Sequence, residues 1–348
     1  MAYNLQEILK RFCIEVDIQP YGDGHINDTY LAQSTPRYIL QRINTEVFTR
    51  PDQVMENITA VTEHLRKKIL QEGGNPLRET LTVVKTESGE NFLRDGEDCY
   101  RVYRFIEGAR TYNLAESPEQ MYQAAKAIGK FQKRLADFPV ERLHETIPRF
   151  HDTPSRVEQL RQAVSENCAG RLETARAEVD FAMELGCYAS LITDAMAAGQ
   201  IPLRVTHNDT KLNNIMLDDE TGEGICVIDL DTVMPGSLLY DYGDALRFGA
   251  SSGQEDEQDL SKIHFVMSVY DAFTRGFLEE AGEAMTKKER DLLPWSVVLM
   301  TYECGIRFLA DYLNGDKYFK IHRPNHNLDR ARTQLKLVQD QMKKLKLC

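Results

Sequence analysis

The N-terminal third of the chain carries apolar residues in two different spacings. Helical spacing occurs over residues 5–12 and again over residues 52–71, where Pro51 stands at a position that helices favour for their first residue. Apolar segments typical of strands lie at 14–20, 38–43, 81–86, 91–94 and 99–106, with a glycine-containing hairpin predicted over 21–31. This order of three strands, one helix and three strands predicts an antiparallel sheet that packs on a single helix.

Beyond residues 107 and 108 the helical spacing dominates. Helices are predicted at residues 118–138, 155–164, 173–198, 257–281 and 292–313. The acidic run at 255–259 is interpreted as a solvated helix start. The change of pattern predicts two units, a β-rich N-terminal lobe of residues 1–106 and a larger, mainly helical C-terminal lobe of residues 107–348. The predicted fold class is therefore α+β, with a small antiparallel sheet in the first lobe.

A strand hairpin interrupts the helical part of the chain. A polar loop and strand over residues 205–217 are followed by a turn rich in Asp, Glu and Gly, and then by a second strand that is predicted to end at Asp229. The loop presents Asp209 and Asn214, so the hairpin brings two carboxylates and one amide to one place. Phosphoryl transfer requires a carboxylate that orients a hydroxyl group and oxygen ligands for magnesium.

The spacing within this loop supports the same chemistry. Asp209 and Asn214 are five positions apart, as in the H-x-D-x-x-x-x-N loop of kinases. Lys211 lies where it can neutralise a transferred phosphate. The alternative is a turn whose Asp and Asn side chains bond their own backbone, but the hairpin and Asp229 favour phosphoryl transfer. His207 is predicted to brace the loop rather than to take part in the chemistry.

Three further motifs are compatible with such a site. The glycine turn at residues 22–27 would let backbone amides approach phosphates, although an ordinary hairpin turn has the same composition. Asp241, in an acidic and aromatic segment, is predicted to be a buried structural carboxylate that braces the catalytic loop. Glu303, Arg307 and Asp311 share one helix face. They could form a surface salt-bridge ladder, and with the nearby aromatic residues they suit either the wall of a sugar pocket or a plain core.

Composition narrows the cellular setting and the partners. A net charge of -12 over 348 residues argues against a nucleic-acid or anionic-membrane surface. Seven scattered cysteines without a CxxC pair argue against a disulfide framework or a zinc site. The N-terminus lacks the apolar region of a signal peptide, and no apolar run approaches the ~18 residues that a membrane span needs. We expect a cytoplasmic monomer with no nucleic-acid or membrane partner.

The strings HNDTKLNN, VIDLD and YDYGD resemble the aminoglycoside phosphotransferase and choline kinase superfamily. This resemblance implies a bilobed, protein-kinase-like fold. Longer strings, among them QPYGDGHINDTYL, LRVTHNDTKLNN, IDLDTVMPGS and ECGIRFLADYL, are similar to the N-acetylhexosamine 1-kinases. The similar segments run from about residue 20 to about residue 340, so the resemblance covers nearly the whole chain.

The narrower resemblance implies an enzyme that uses ATP and Mg²⁺ to phosphorylate the anomeric C1 hydroxyl of N-acetylglucosamine or N-acetylgalactosamine. Asp209 would be the catalytic base, Lys211 a second catalytic residue, and Asn214 and Asp229 the metal ligands. The implied sugar-binding residues are His25, Thr232, Phe248, Arg307 and Tyr318. The expected nucleotide-binding residues are Gly22, Gly24, Asn27, Arg42, Arg104 and Ile106. The sugar and ATP are the expected partners.

One departure from the wider kinase pattern concerns the third strand. It reads Tyr-Ile-Leu-Gln where protein kinases read Val-Ala-Ile-Lys, so Gln41 occupies the place of the lysine. Gln41 carries no charge to neutralise a phosphate. Lys211, Arg42 or a second metal ion could hold the α- and β-phosphates instead. The helical residue that would pair with the missing lysine, such as Glu56, is correspondingly undetermined.

Two other functions remain open. The chain could be another small-alcohol kinase of the same superfamily, acting on homoserine, choline, methylthioribose or an aminoglycoside. It could also be a nucleotide-binding pseudokinase without turnover. Gln41 is the best argument for a pseudokinase, whereas the intact set of Asp209, Asn214 and Asp229 argues against it.

Overall fold

A computed structural model describes residues 4–22 and 26–347 of the chain. The predictions for Gly24 and His25 lie outside these residues. The N-terminal elements are α1 (Leu5–Lys10), β1 (Ile18–Pro20), β2 (Asp28–Ala32), β3 (Tyr38–Ile43), α2 (Pro51–Gln71), α3 (Pro76–Glu79), β4 (Val83–Val84), β5 (Leu93–Asp95) and β6 (Asp98–Arg104). The predicted order of strands around one long helix is confirmed, with α3 as a short addition.

These strands form one antiparallel sheet in the order β1-β2-β3-β6-β4, and β5 pairs with β6. Alternation along β3 turns Leu40 toward α1 and turns Ile39 and Ile43 toward the larger core. The helix α2 begins with Pro51 at its first turn and buries the predicted stripe that includes Ile58. The sheet is thus covered by α1 on one face and by the main core on the other.

The second part of the chain is mainly helical. Its helices are α4 (Pro118–Arg134), α5 (Thr153–Glu166), α6 (Arg176–Leu185), α7 (Leu191–Ala197), α8 (Leu238–Gly249), α9 (Met267–Ala281), α10 (Lys287–Leu313) and α11 (His326–Leu345). Its strands are β7 (Ala109–Arg110), β8 (Arg204–Thr206), β9 (Ile215–Asp218), β10 (Gly224–Val227) and β11 (Met234–Gly236). The hairpin of β9 and β10 is confirmed, and β7 adds to it as a third strand. The other pair joins β8 and β11.

Several predicted helix boundaries are wrong. The single helix predicted at 173–198 is divided, because α6 gives way to a 3-10 turn at Gly186 before α7 begins. The helix predicted from residue 257 begins only at Met267. Residues 251–265 bond to one another instead, through a bridge between Ser251 and Phe265 and a hydrogen bond of 3.1 Å from Ser252 N to His264 O. Helices α8 and α11 are not predicted from the sequence.

The acidic run at 255–259 therefore does not start a helix. Glu255 instead accepts a hydrogen bond of 3.1 Å from Arg247 at the end of α8, and Asp256 contacts His326 at the start of α11 over 3.0 Å. These contacts connect the segment to two helices, so its charges belong to the tertiary structure rather than to solvent alone.

One apolar core extends through both parts of the molecule. It includes Ile43 of the sheet, Ile58 of α2, Ile128 of α4, Leu246 of α8 and Val297 of α10. The boundary at residues 106 and 107 marks the change from strands to helices and stays a prediction as a domain boundary. The β9–β10 hairpin packs against α3 and α4, and the segment after it contacts the sheet through Asp231. The solvent-exposed space beside this segment, where Asp229 lies, is called the cleft below.

The central helix α10 is long and apolar enough, by length and composition alone, to cross a membrane. The criterion applied to the sequence, an unbroken apolar run of ~18 residues, does not detect this helix. Within the most apolar 18-residue window of this helix, 78% is buried inside the protein. The core helix of a soluble protein meets the same criterion of length and composition.

Candidate active site

The catalytic loop leaves β8 at Thr206 and turns sharply at the next two residues. Asn208 has a left-handed backbone conformation with φ of 67°, which residues other than glycine seldom adopt unless neighbouring groups stabilise it. That support comes from Thr232: its backbone oxygen accepts a hydrogen bond of 2.8 Å from Asn208 Nδ2, and its Oγ1 donates to His207 O over 2.6 Å. Thr232, predicted to bind sugar, therefore has its side chain in contact with the loop backbone.

Asp241 on α8 also stabilises this turn, through hydrogen bonds to its backbone. Its carboxylate is fully buried and accepts hydrogen bonds from the backbone nitrogens of His207 and Asn208, at 3.0 and 2.8 Å, and from Gln132 Nε2 at 2.6 Å. Burial raises the pKa of Asp241. The prediction of a buried carboxylate that braces the loop is confirmed.

We expect the substitution Asp241→Ala to destabilise the protein by about 3 kcal/mol, because it leaves buried N–H donors without an acceptor. Equilibrium unfolding in urea measures this change. Asp291→Ala, at an exposed position of α10, is the matched control and should change stability by less than about 0.5 kcal/mol. Equal stability of the two variants would show that Asp241 does not support the loop.

His207 connects the catalytic loop to the strand that leads to Asp229. The imidazole is buried, its Nε2 lies 2.8 Å from the backbone oxygen of Ile228, and its Nδ1 accepts a hydrogen bond of 3.2 Å from Asp209 N. This pattern assigns the proton to Nε2. Both ring nitrogens are therefore used in positioning, which confirms the prediction that His207 braces the loop.

The side chains of Asp209, Lys211 and Asn214 are in contact, and Asn214 is the buried member of the group. Asn214 Nδ2 donates to the backbone oxygen and to Oδ2 of Asp209, at 2.8 and 3.0 Å. Lys211 Nζ lies 3.1 Å from the same Oδ2 atom. Although burial opposes the charge, the carboxylate of Asp209 raises the pKa of Lys211. These two contacts hold the side chain of Asp209 in one orientation.

Asp229 stands opposite this group. The strand β10 ends at Val227 rather than at Asp229, because Asp229 adopts a left-handed conformation with φ of 59°. Its side chain is open to solvent in the cleft, yet protein surrounds it closely enough that desolvation and the carboxylates of Asp231 and Asp209 raise its pKa to about 6. Among the described residues, no hydrogen bond or ion pair engages this carboxylate.

The donor atoms fit a magnesium ion that is shared with a phosphate. The amide nitrogen of Asn214 donates to Asp209, so its amide oxygen and the carboxylate of Asp229 are the atoms that would hold a metal ion, and this role stays a prediction. Within residues 4–22 and 26–347 no group of three or more His, Cys, Asp or Glu side chains forms a metal cluster. Magnesium prefers one or two protein oxygens together with water and substrate phosphates, which matches so few protein ligands.

The predicted nucleotide-binding residues lie on the sheet and on the segment that follows it. Gly22 has φ of +75°, and no atom lies within 4 Å of the place of a Cβ, so its backbone is accessible. Asn27 directly precedes β2, and its side-chain amide contacts Asp231 over 2.7 Å. Arg104 ends β6, and Ile106 is buried just beyond it in the connection between the two parts. Their roles toward a nucleotide stay predictions.

Arg42 lies on the other face of the sheet. Strand alternation turns it away from its neighbour Gln41, and its guanidinium pairs with Asp28 and Asp98 at 2.6 and 3.0 Å. This placement gives no support to Arg42 as the cation that holds the phosphates.

The predicted sugar-binding residues are distributed over separate cavities. Arg307 and Tyr318 line a cavity of about 340 Å³ between α5 and α10. Phe248 lines a different cavity of about 370 Å³, together with residues 113–118 and Leu212. Residues 207–211 line neither, so the structure does not bring these side chains to Asp209. Tyr318 is 73% exposed.

The interpretation of the α10 face as a surface salt-bridge ladder is wrong. Glu303 and Asp311 are buried, and Glu303 contacts His151 and Thr153 at 2.9 and 2.7 Å. Asp311 accepts backbone hydrogen bonds from residues 317–319. Arg307 packs against the rings of Phe150, Tyr318 and Phe319, with its guanidinium carbon 5.5–5.9 Å from their centres.

Two buried residues near the cleft were missed by the analysis of the sequence. Arg101 on β6 forms an ion pair with Asp231, two positions after Asp229. The motif VIDLD contains Asp231 and could have directed attention to it. No local signal identifies Arg101, because its partner lies 130 positions away in the chain.

Comparisons with known proteins identify the family and the fold of the chain. Residues 17–280 match the model of a family described as a phosphotransferase enzyme family. A microcompartment-associated aminopropanol kinase is similar in structure, with a TM-score of 0.60 and 14% identity over 99% of this chain and 97% of that one. An aminoglycoside phosphotransferase from Alicyclobacillus acidocaldarius subsp. acidocaldarius DSM 446 also gives 0.60 and 14%, over 100% and 98%.

A choline/ethanolamine kinase family protein from Mesorhizobium loti gives a TM-score of 0.55 and 16% identity over 94% of this chain and 88% of that one. Identities this low show a common fold. The predicted bilobed, kinase-like α+β fold is therefore confirmed: an antiparallel sheet in the first part and a larger helical second part.

Proposed function

The chain belongs to this phosphotransferase enzyme family, and from that premise we propose that it transfers the γ-phosphoryl group of ATP to the anomeric C1 hydroxyl of an N-acetylhexosamine. The products would be the sugar 1-phosphate and ADP. The cluster of Asp209, Lys211 and Asn214, with Asp229 opposite, supports the phosphoryl transfer. The choice of acceptor is supported by the sequence resemblance and by the charge of one cavity, described below.

In the proposed reaction, Asp209 would orient the anomeric hydroxyl and accept its proton as the oxygen attacks the γ-phosphorus. Asn214 holds the Oδ2 atom of Asp209 in place, so the carboxylate needs no reorientation on binding. Lys211, already charged beside Asp209, would stabilise the oxygens of the transferred group. Asn214 and Asp229 would hold Mg²⁺, which neutralises negative charge on the phosphates when it is bound.

The cavity beside Arg307 carries the argument for a neutral sugar. Arg156 and Arg307 both line it, together with the amide side chains of Gln159, Gln162 and Asn314. Burial and the charge of Arg307 lower the pKa of Arg156, which reflects two cations in one partly enclosed space. Such a cavity favours a neutral polyol with an amide carbonyl and disfavours an ammonium group. Residues 207–211 do not line this cavity, so its use as the acceptor site beside Asp209 is part of the proposal.

Another small-alcohol kinase is the second candidate, because Glu166 and Asp311 line the same cavity and could attract an amine. Asp311 is already saturated by three backbone N–H groups and by Asn327. Glu166 alone is thus opposed by two arginines. A pseudokinase is disfavoured, since the three residues proposed for base and metal binding, Asp209, Asn214 and Asp229, are all present.

An assay of ADP release tests the proposal against these candidates. N-acetylglucosamine, N-acetylgalactosamine, choline, homoserine, methylthioribose and kanamycin would be offered with ATP and Mg²⁺. We expect turnover on a hexosamine, with a product that has lost its reducing end and shows anomeric coupling in its phosphorus NMR spectrum. A product that stays reducing, or turnover on an amine alone, would contradict the assignment of the C1 hydroxyl.

We expect Arg307→Met to raise KM for the sugar by roughly 10- to 100-fold, because one hydrogen bond from a charged donor is lost. KM for ATP should be unchanged. Arg275→Met is the control, since Arg275 is exposed on α9 and also lies over an aromatic ring, that of Tyr122. A rise in KM for ATP, or none for the sugar, would remove Arg307 from the acceptor site.

A cytoplasmic, monomeric enzyme is also part of the proposal. The cysteines within residues 4–347 are free thiols, as is usual in a reducing compartment. ATP and its magnesium complex are available there to the proposed reaction.

A further inference from the structure

A buried arginine stands beside the position that lysine occupies in protein kinases. The chain has Gln41 at that position on β3, and its Oε1 accepts a hydrogen bond of 3.0 Å from Nε of Arg101 on β6. The two residues are direct partners in the register of the strands. Only 1% of the surface of Arg101 is exposed. The sheet therefore carries a positive charge here, displaced by one strand.

The guanidinium of Arg101 is paired with Asp231, which follows the proposed metal ligand Asp229 by two residues. Nη1 of Arg101 donates to Oδ1 of Asp231, and Asp231 is only 4% exposed. Loss of one partner from a buried pair leaves an unpaired charge in the interior, which is strongly unfavourable. The pair consequently holds the loop of Asp229 against the sheet.

Asp231 has contacts on two further sides. Asn27, just before β2, donates through Nδ2 to Oδ2 of Asp231 over 2.7 Å and accepts from Asn44 N over 3.0 Å. The next residue, Thr232, donates to His207 O in the catalytic loop over 2.6 Å. One buried carboxylate thus links Arg101 of the sheet and Asn27 to the loop that carries Asp229.

We propose that Arg101 is a positioning residue that takes the place of the missing β3 lysine: through Asp231 it fixes the loop of Asp229 relative to the sheet, and so determines the binding geometry of the magnesium–nucleotide complex. Arg42 lies on the other face of the sheet, and Lys211 pairs with Asp209. The inference rests on the proposed use of ATP and magnesium, but it does not depend on the identity of the acceptor.

Calorimetric titration with AMP-PNP, a non-hydrolysable ATP analogue, tests this role without any sugar. For Arg101→Met we expect affinity for the magnesium complex to fall by roughly 30-fold, because the metal-binding loop loses its anchor. Affinity for AMP-PNP in EDTA should change by less than about threefold, since Arg101 acts through the loop of Asp229. Arg94→Met, on the neighbouring strand β5 and exposed, is the matched control and should bind like the wild type.

A double variant that moves the positive charge from β6 to β3 provides the second test. The double variant Gln41→Lys/Arg101→Met returns a cation to β3 directly opposite its former place, and it should recover at least about tenfold of the lost affinity. Thermal melting reports whether each variant is folded. If Arg101→Met does not fold, recovery of folding and binding in the double variant supports the proposal, whereas its failure to fold overturns it.

Three other results would overturn the positioning role. These are wild-type affinity in folded Arg101→Met, equal losses with and without magnesium, and a double variant no better than the single one. A wild-type chain that binds no nucleotide would overturn this inference and the proposed kinase together. Normal nucleotide binding without turnover on any hexosamine would overturn only the proposed acceptor.

Discussion

Asp209→Asn should lower kcat by roughly 1000-fold, which is within the range that general-base catalysis contributes. The carboxylate is positioned by Asn214 at 3.0 Å and by Lys211 at 3.1 Å, so it presents one defined orientation to an acceptor hydroxyl. An asparagine retains the shape and a hydrogen-bond acceptor but cannot take the proton. The anomeric hydroxyl is more acidic than a plain alcohol, so part of the rate should survive through positioning alone.

ADP release at saturating sugar and ATP measures this effect, and titration with AMP-PNP measures nucleotide binding, which should stay within about twofold of the wild type. Asp180→Asn on α6 is the control, because it makes the same change at an exposed position. Near wild-type kcat in Asp209→Asn would show that another group is the base. Loss of nucleotide binding would instead indicate that the substitution disturbs the loop.

The second large effect is expected at Asp229. Replacing it by Ala removes one of the two protein ligands proposed for magnesium, and we expect kcat/KM for ATP to fall by roughly 100-fold at a fixed magnesium concentration. The carboxylate has no hydrogen bond or ion pair among the described residues, so its removal leaves no buried partner unsatisfied. The protein should therefore remain folded, and the loss should be confined to metal-dependent steps.

A magnesium titration distinguishes this role from a structural one. The concentration for half-maximal activity should rise by about tenfold or more in Asp229→Ala. Asp219→Ala in the turn between β9 and β10 is the control, because its ion pair with Arg110 is exposed and contributes little. Superimposable magnesium titrations for Asp229→Ala and the wild type would exclude Asp229 as a ligand.

The parts of the fold that could be predicted are those whose pattern is local. The strand β3 was expected at residues 38–43 and occupies Tyr38–Ile43, since alternation and a turn at each end define it. The stripe on α2 was similarly sufficient, with Pro51 to mark its start. The helix expected from residue 257 failed because Phe265 binds elsewhere: its N donates to Asp340, and its O accepts from Lys344 on α11.

The same distinction applies to the site. Asp209 and Asn214 are in one loop, so their spacing alone revealed them, and Asp241 was found because its segment follows closely. Arg101 had no such signal. It sits in a strand of ordinary composition, and only the register of β3 and β6 places it beside Gln41 and within reach of Asp231. Charges that meet across 130 positions of sequence are determined by tertiary structure.

Two residues of the catalytic cluster have a left-handed backbone conformation, which most residue types rarely adopt. Asn208 and Asp229 have φ of 67° and 59°, and such left-handed conformations each cost on the order of 1 kcal/mol outside a supporting structure. These conformations lower the stability of the folded protein but keep the site residues in position. A short peptide with the same sequence would not keep this conformation. Grafting the motif onto another scaffold would need its whole set of braces, and a substitution chosen only to relieve the strain would risk displacing the chemical groups.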